Sequence, residues 1–149
     1  MYRHLLVPTD GSPLASRAVK TAAQLALSLK SAMSVVHVVP PWGPPLYGDP
    51  LGYLPPVFDP EEFKMHVERS GQRVLAAAVR RAEALGVSCS AVLCTHENPW
   101  EGILKTARSK RCDLIVMASH GRRGLAGVLL GSETARVLTH SRIPVLVCK

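Results

Sequence analysis

Long apolar runs are missing from this sequence. No stretch approaches the roughly 20 residues that a membrane-spanning helix needs, which counts against an integral membrane protein. The first residues, Met1 to Pro8, carry one arginine and only Leu5-Leu6-Val7 as an apolar stretch. A secretory leader needs about 7–15 apolar residues there, so the expected location is cytoplasmic. Cysteine is sparse and unpatterned. Cys89, Cys94, Cys112 and Cys148 include no C-x-x-C pair, and the histidines at 4, 37, 66, 96, 120 and 140 are scattered, so no zinc site is expected. The thiols read as free and mostly buried in a reducing compartment, with Cys89 and Cys94 on opposite faces of a strand. Aromatic side chains are also few, two Trp, three Tyr and two Phe, and they are not interleaved with basic residues. Acids number 11 against 18 Lys and Arg, for a net charge of +7. Such a surface attracts polyanions. The cations are nevertheless dispersed over Arg80-Arg81, Lys105 to Arg111, Arg122-Arg123, Arg136 and Arg142, which counts against nucleic acid as the partner. Two phosphate motifs are absent as well. There is no G-x-x-x-x-G-K-[ST], and Asp10-Gly11-Ser12 stands where G-x-G-x-x-G would follow a first strand, so motor ATPases, GTPases and dinucleotide oxidoreductases are disfavoured.

What is present describes a single domain over residues 1–149. The chain is 47% hydrophobic and 19% charged, unlike disordered segments. Residues 3–9 read as a short strand that ends at Asp10-Gly11-Ser12-Pro13. Serine followed by proline is a helix start, because the hydroxyl caps free N–H groups and proline at the first position loses no bond. Leu14, Ala15, Ala18, Val19, Ala22, Ala23, Leu25, Ala26 and Leu29 then recur at three and four, predicting a helix to about Lys30. Met33–Val39 is β-branched and reads as a buried strand. A helix is predicted from Glu61 to about Leu85, with Phe63, Val67, Val74, Leu75, Ala78, Val79, Ala82 and Leu85 inward and Gly86 as its stop. Val87–Cys94 reads as a strand. Asn98-Pro99-Trp100-Glu101 reads as a capped start for a helix to about Lys110. Asp113–Ala118 is a continuous apolar strand, as expected where both sheet faces are covered. Ser132–His140 reads as a short helix and Ile143–Cys148 as the last strand.

Between these elements, residues 40–60 hold eight of the twelve prolines together with Trp42, Tyr47, Tyr53 and Phe58. No regular element fits that composition. Either a lid or contact surface, or a plain linker, accounts for it.

Alternating strands and helices predict an α/β fold, a doubly wound five-stranded parallel sheet in the order 3-2-1-4-5 with helices on both faces. In that order a crevice opens at the carboxyl ends of strands one and four, where such sheets bind ligands. Those ends are Pro8-Thr9-Asp10 and Ala118-Ser119-His120-Gly121. The loop from Ser119 to Ser132 is rich in glycine and carries Arg122 and Arg123. Glycines let backbone N–H groups approach a phosphate, and Gly131-Ser132 opens a helix whose N-terminus favours an anion. A phosphate-binding loop and a flexible connection ending in a helix cap are both compatible with this pattern.

At these residues the sequence resembles the universal stress protein family. The resemblance runs over essentially the whole chain, from Leu6-Val7-Pro8-Thr9-Asp10-Gly11-Ser12 through Val36-His37-Val38 and Asp113–Gly121 to Gly131-Ser132 and Pro144-Val-Leu-Val. The family's nucleotide-binding branch has the pattern G-x2-G-x9-G-[ST]. Gly121 and Gly131-Ser132 match its second half, and Ala118 replaces its first glycine. The resemblance implies ATP as the ligand, with Mg²⁺ or Mn²⁺ held through its phosphates. It places the adenosine near Pro8, Thr9, Asp10 and the backbone of Val38. It places the ribose and phosphates along Met117, Ala118, Gly121, Gly131, Ser132 and Glu133. It also implies a homodimer joined through antiparallel pairing of last strands.

Each residue also has a plainer explanation. Asp10 could cap the first helix with Ser12, and Val38 and Met117 could be core. His120 invites a general-base reading beside phosphates, and His37 suits a satisfied core histidine. The expected function is therefore an ATP-binding stress-response or signalling module with slow or no hydrolysis. The alternatives are a nucleotide hydrolase or adenylate-transferring enzyme, and a stress protein that binds no nucleotide.

Overall fold

In the computed structural model, residues 1–41, 60–121 and 130–149 are described. The aromatic and proline-rich segment from Trp42 to Asp59, and Arg122 and Arg123 of the glycine-rich loop, lie outside them. The chain runs β1 (His4–Pro8), α1 (Pro13–Leu29), β2 (Ala32–Val39), α2 (Pro60–Glu83), β3 (Cys89–Thr95), α3 (Pro99–Ser109), β4 (Leu114–Ala118), α4 (Ser132–His140) and β5 (Val145–Cys148). The strands form one five-stranded sheet in the order β3-β2-β1-β4-β5, as predicted. All pairings are parallel, with Leu5 opposite both Met33 and Leu114.

The period of two in the strands divides the core. Leu5, Val7, Met33, Val35, Leu114 and Val116 face α1 and α2, where they meet Val19, Leu75 and a row of alanines. Leu6, Val36, Ile115 and Met117 face α3 and α4 and meet Ile103, Leu104, Ala107 and Val137. Every residue of β4 is buried, which explains its unbroken apolar run. The small inward face of α1, with Ala15, Ala18, Ala22, Ala23 and Ala26 buried, lets that helix lie close on the sheet. Truncating a wholly buried side chain such as Leu6 to alanine should cost about 2–5 kcal/mol.

The helix boundaries follow local chemistry. Ser12 Oγ accepts a bond from the Ala15 N–H at 3.2 Å, with Pro13 at the first helical position. Past the end of α2, Gly86 adopts φ 81°, a conformation that side chains with a Cβ rarely take.

Three expectations need correction. Phe63 does not point inward and is 37% exposed. From Glu61 to Ser70 only Val67 is even half-buried, and burial begins at Gly71. At 1.5 Å per residue, α2 is about 36 Å long, whereas β3 beneath it spans about 23 Å at 3.3 Å per residue. The apolar stripe therefore outruns the sheet. The thiols are also less buried than expected. Cys112 alone is buried, and Cys89, Cys94 and Cys148 are half-buried because they lie on the edge strands β3 and β5. Finally, the Asn98 side chain does not cap α3 by accepting from its backbone. Its Nδ2 donates to Glu101 Oε1 at 2.9 Å.

Candidate functional site

A recess of about 390 Å³, lined by His4, Lys30, Ser31, Ser88 and Ser90 among others, lies at the amino ends of the strands. The connection between β3 and β4 passes β1 and β2, so the switch point is between β1 and β4. In sheets of this kind ligands bind at the carboxyl ends beside that point, which favours the opposite side of the molecule.

At the end of β1 the backbone is tightly specified. The buried Thr9 donates its N–H to the Val36 carbonyl at 2.9 Å. Its own carbonyl accepts from His37 Nδ1 at 2.7 Å, which assigns the proton to that nitrogen and makes His37 a satisfied structural histidine. Asp10 Oδ1 accepts the Ser12 N–H at 2.9 Å in an Asx turn. Gly11 takes φ 77° to complete the turn. Asp10 thus does help to shape the start of α1. Its other oxygen faces β4: a Cβ built on Gly121 would run into Asp10 Oδ2. Only glycine fits at that approach without displacing the carboxylate.

At the end of β4, Ser119 donates its N–H to the Cys148 carbonyl at 2.7 Å and accepts the Gly131 N–H at 2.7 Å. The buried Thr134 hydroxyl donates to the Ala118 carbonyl at 2.9 Å. These bonds fix the first turn of α4 against the strand. Gly131 is its N-cap, and a Cβ there would lie 3.1 Å from His120 Cα and 3.2 Å from the Ser119 carbonyl oxygen. The α4 ladder begins with Ala135 N–H to the Gly131 carbonyl, so the N–H groups of Ser132, Glu133 and Thr134 precede it. They and the helix dipole favour negative charge.

Ser119 Oγ and His120 Nδ1 are buried and have no hydrogen-bond partner among the described residues. A buried polar atom without a partner is costly, and here two lie beside a glycine cradle and a helix N-terminus. A phosphate-bearing ligand fits the glycine approach and the N–H groups at the start of α4. A metal has no cradle of its own, since no group of three or more His, Cys, Asp and Glu suited to one occurs among the described residues. The structure thus brings together Thr9, Asp10, Ala118, Gly121, Gly131 and Ser132. Pro8 ends β1 beside them. Val38 and Met117 direct their side chains into the core between the sheet and α3, so only their backbones are available. Glu133 turns its carboxylate to α3, accepting the Trp100 N–H at 2.9 Å. Sequence reasoning placed Ser119 at the crevice without giving it a role, and missed Trp100 and Thr134.

Comparison with known proteins agrees with this architecture. The pattern of the Universal stress protein family matches residues 1–149. Universal stress protein YxiE of Bacillus subtilis is 30% identical over 153 residues, covering 100% of both chains. A solved universal stress protein family member from Burkholderia pseudomallei is 31% identical with a TM-score of 0.74, over 98% of this chain and 95% of its own. A solved universal stress protein in complex with cAMP is 25% identical with a TM-score of 0.71, over 98% of this chain and 96% of its own. Among the described residues, no helix is long and apolar enough to cross a membrane. With the sheet order, the switch-point crevice and the full-length match in agreement, the chain belongs to the universal stress protein family.

Proposed function

We propose that this protein binds an adenine nucleotide, ATP by the family pattern, and acts as a nucleotide-dependent stress-response or signalling module with slow or no hydrolysis. The observation that carries the reading is the approach of the Asp10 carboxylate to Gly121 across the switch point. In this assignment the adenosine lies against Pro8, Thr9, Asp10 and the Val38 backbone. The ribose and phosphates follow Met117, Ala118, Gly121, Gly131, Ser132 and the Glu133 N–H. Asp10 accepts hydrogen bonds from an adenine amino group or a ribose hydroxyl. The first turn of α4 receives the phosphates, which carry Mg²⁺ or Mn²⁺ with them. The likeness to a family member solved with cAMP supports the ligand class. Weak hydrolysis is consistent with His120, whose Nδ1 has no partner among the described residues to orient or polarise the ring.

The edge strand β5, with Leu146 39% exposed, is the surface we assign to a homodimer. A cytoplasmic location accompanies this reading. One observation favours a second reading, a member that holds no nucleotide. Ala118 puts a methyl group where the nucleotide-binding pattern has glycine.

Calorimetric titration with ATP, ADP, AMP and GTP in the presence of Mg²⁺, beside Gly121→Val and Gly131→Val, separates the two. Binding of adenine nucleotides by the wild type, lost in the folded variants, supports the site. No binding by any nucleotide overturns it.

A further inference from the structure

We infer that Glu133 acts on nucleotide binding as a positioning residue, through a clamp in which Trp100 of α3 grips α4 near both ends. The inference rests on the nucleotide reading above. Residues 133, 137 and 140 are spaced i, i+4 and i+7, so they share one face of α4. The middle residue, Val137, is wholly buried in the core beneath α3 and α4. In the first turn, Glu133 Oε2 accepts the Trp100 N–H at 2.9 Å. In the last, the His140 ring lies 4.4 Å from the Trp100 ring, centroid to centroid, with the planes tilted by 31°. His140 is oriented in turn by donating from Nδ1 to the Arg136 carbonyl at 2.9 Å.

The clamp replaces a missing cap. Asn98 occupies the N-cap of α3 but its side chain makes no bond to the helix backbone. The carboxylate of Glu133 supplies the acceptor from the neighbouring helix instead, at the positive end of the α3 dipole. Arg136, three residues on in α4, lies 3.7 Å from the other carboxylate oxygen. Two consequences follow for the crevice. The first turn of α4, which carries the proposed phosphate-binding N–H groups, is tied to a second helix as well as to Ser119 and Ala118. The carboxylate of Glu133 is also divided between the Trp100 N–H of α3 and Arg136 of α4.

The test compares the intact wild-type protein with Glu133→Ala and Glu133→Gln. Glutamine keeps an acceptor oxygen for the Trp100 N–H and removes the charge; alanine removes both. Two measurements are made: ATP affinity by calorimetry with and without Mg²⁺, and amide hydrogen exchange at Trp100 and Ala135. For Glu133→Ala we expect faster exchange at both amides and an affinity about tenfold lower, because the binding-competent placement of α4 is populated less. Glu133→Gln should recover most of both losses. Unchanged ATP affinity in Glu133→Ala would overturn the inference. So would a glutamine variant as weak as alanine with an altered Mg²⁺ dependence, since Glu133 would then act on the ligand by its charge. If the wild type binds no nucleotide, the functional reading fails by itself. Exchange at Ala135 still decides the clamp: faster in alanine and restored in glutamine supports it, and no change refutes it.

Discussion

Gly102→Ala in α3 is a case where two known effects oppose each other and the structure decides the sign. Gly102 is buried in the first turns of α3, where replacing glycine by alanine ordinarily gains about 1 kcal/mol from backbone entropy. Here the new Cβ would lie 2.9 and 3.1 Å from the two γ-methyls of Val38 and 3.2 Å from His96 Cβ. Val38 is β-branched and held in the β2–β3 ladder opposite Cys94, so moving its methyls out of the way is costly. Overpacking of this kind costs about 1–3 kcal/mol. The cost should match or exceed the gain, leaving a net loss of up to about 2 kcal/mol, which for a chain of this size lowers Tm by up to about 6 °C. Thermal unfolding followed by circular dichroism measures it. Val38→Ala removes the obstructing methyls, so the double variant should be more stable than the sum of the single losses predicts. A coupling energy of about 1 kcal/mol in that direction is expected. A Tm that rises with Gly102→Ala alone, or strict additivity in the cycle, would refute the packing argument.

Three further outcomes follow from other parts of the molecule. Ser34 bridges His4 Nε2 and Ser90 Oγ at 2.7 Å each across three strands. Ser34→Val should therefore lose about 1 kcal/mol in urea unfolding, near the low end for stranded polar partners because His4 and Ser90 reach solvent. Burial opposes ionisation of Asp113, but N–H groups from His4 and Arg3 outweigh it and hold the carboxyl below its ordinary value. A folded pKa below the unfolded one adds stability above the unfolded value, and this is lost as pH falls through the folded value. The urea midpoint of the wild type should thus fall more steeply than that of Asp113→Asn from about pH 4 downward. Burial pushes the thiols of Cys89 and Cys112 up to about 11, with Glu83 and Asp113 respectively adding to it. Raised thiol values mean the unfolded chain ionises first, so stability should decline as pH rises above about 8.5. Both thiols should also react more slowly with a disulfide reagent at neutral pH than the same residues in the unfolded chain.

The fold was legible wherever one local pattern had a single three-dimensional solution. The unbroken apolar run Leu114–Ala118 demanded cover on both faces, and β4 has it. Ser12-Pro13 and Gly86 marked ends because their backbone requirements are independent of packing. The exposed first half of α2 was not legible, because a stripe in the sequence records helix phase and not how far a sheet extends beneath it. The half-buried thiols were missed for a related reason: whether a strand residue is covered depends on its neighbours in the sheet as well as on its own hydrophobicity.

For the crevice, the positions of Asp10 and Gly121 followed from topology alone, since parallel strands flanking a switch point must deliver their carboxyl ends to one place. Side-chain direction did not. A glutamate in the first turn of α4 is equally consistent with facing a ligand, solvent or another helix, and the family pattern suggested the first. Spacing alone does not discriminate, because Leu138 is as apolar as Val137 and yet 41% exposed. Val137 is the apolar residue of that helix one turn beyond Glu133, and His140 follows one turn later on the same side. A residue whose i+4 neighbour is wholly buried shares that neighbour's face and is directed toward whatever the helix packs on. With Val137 found buried, Glu133 falls on the face of α4 turned toward α3, where its carboxylate accepts the Trp100 N–H, so in the first turn of α4 Glu133 has only its backbone N–H left for the crevice.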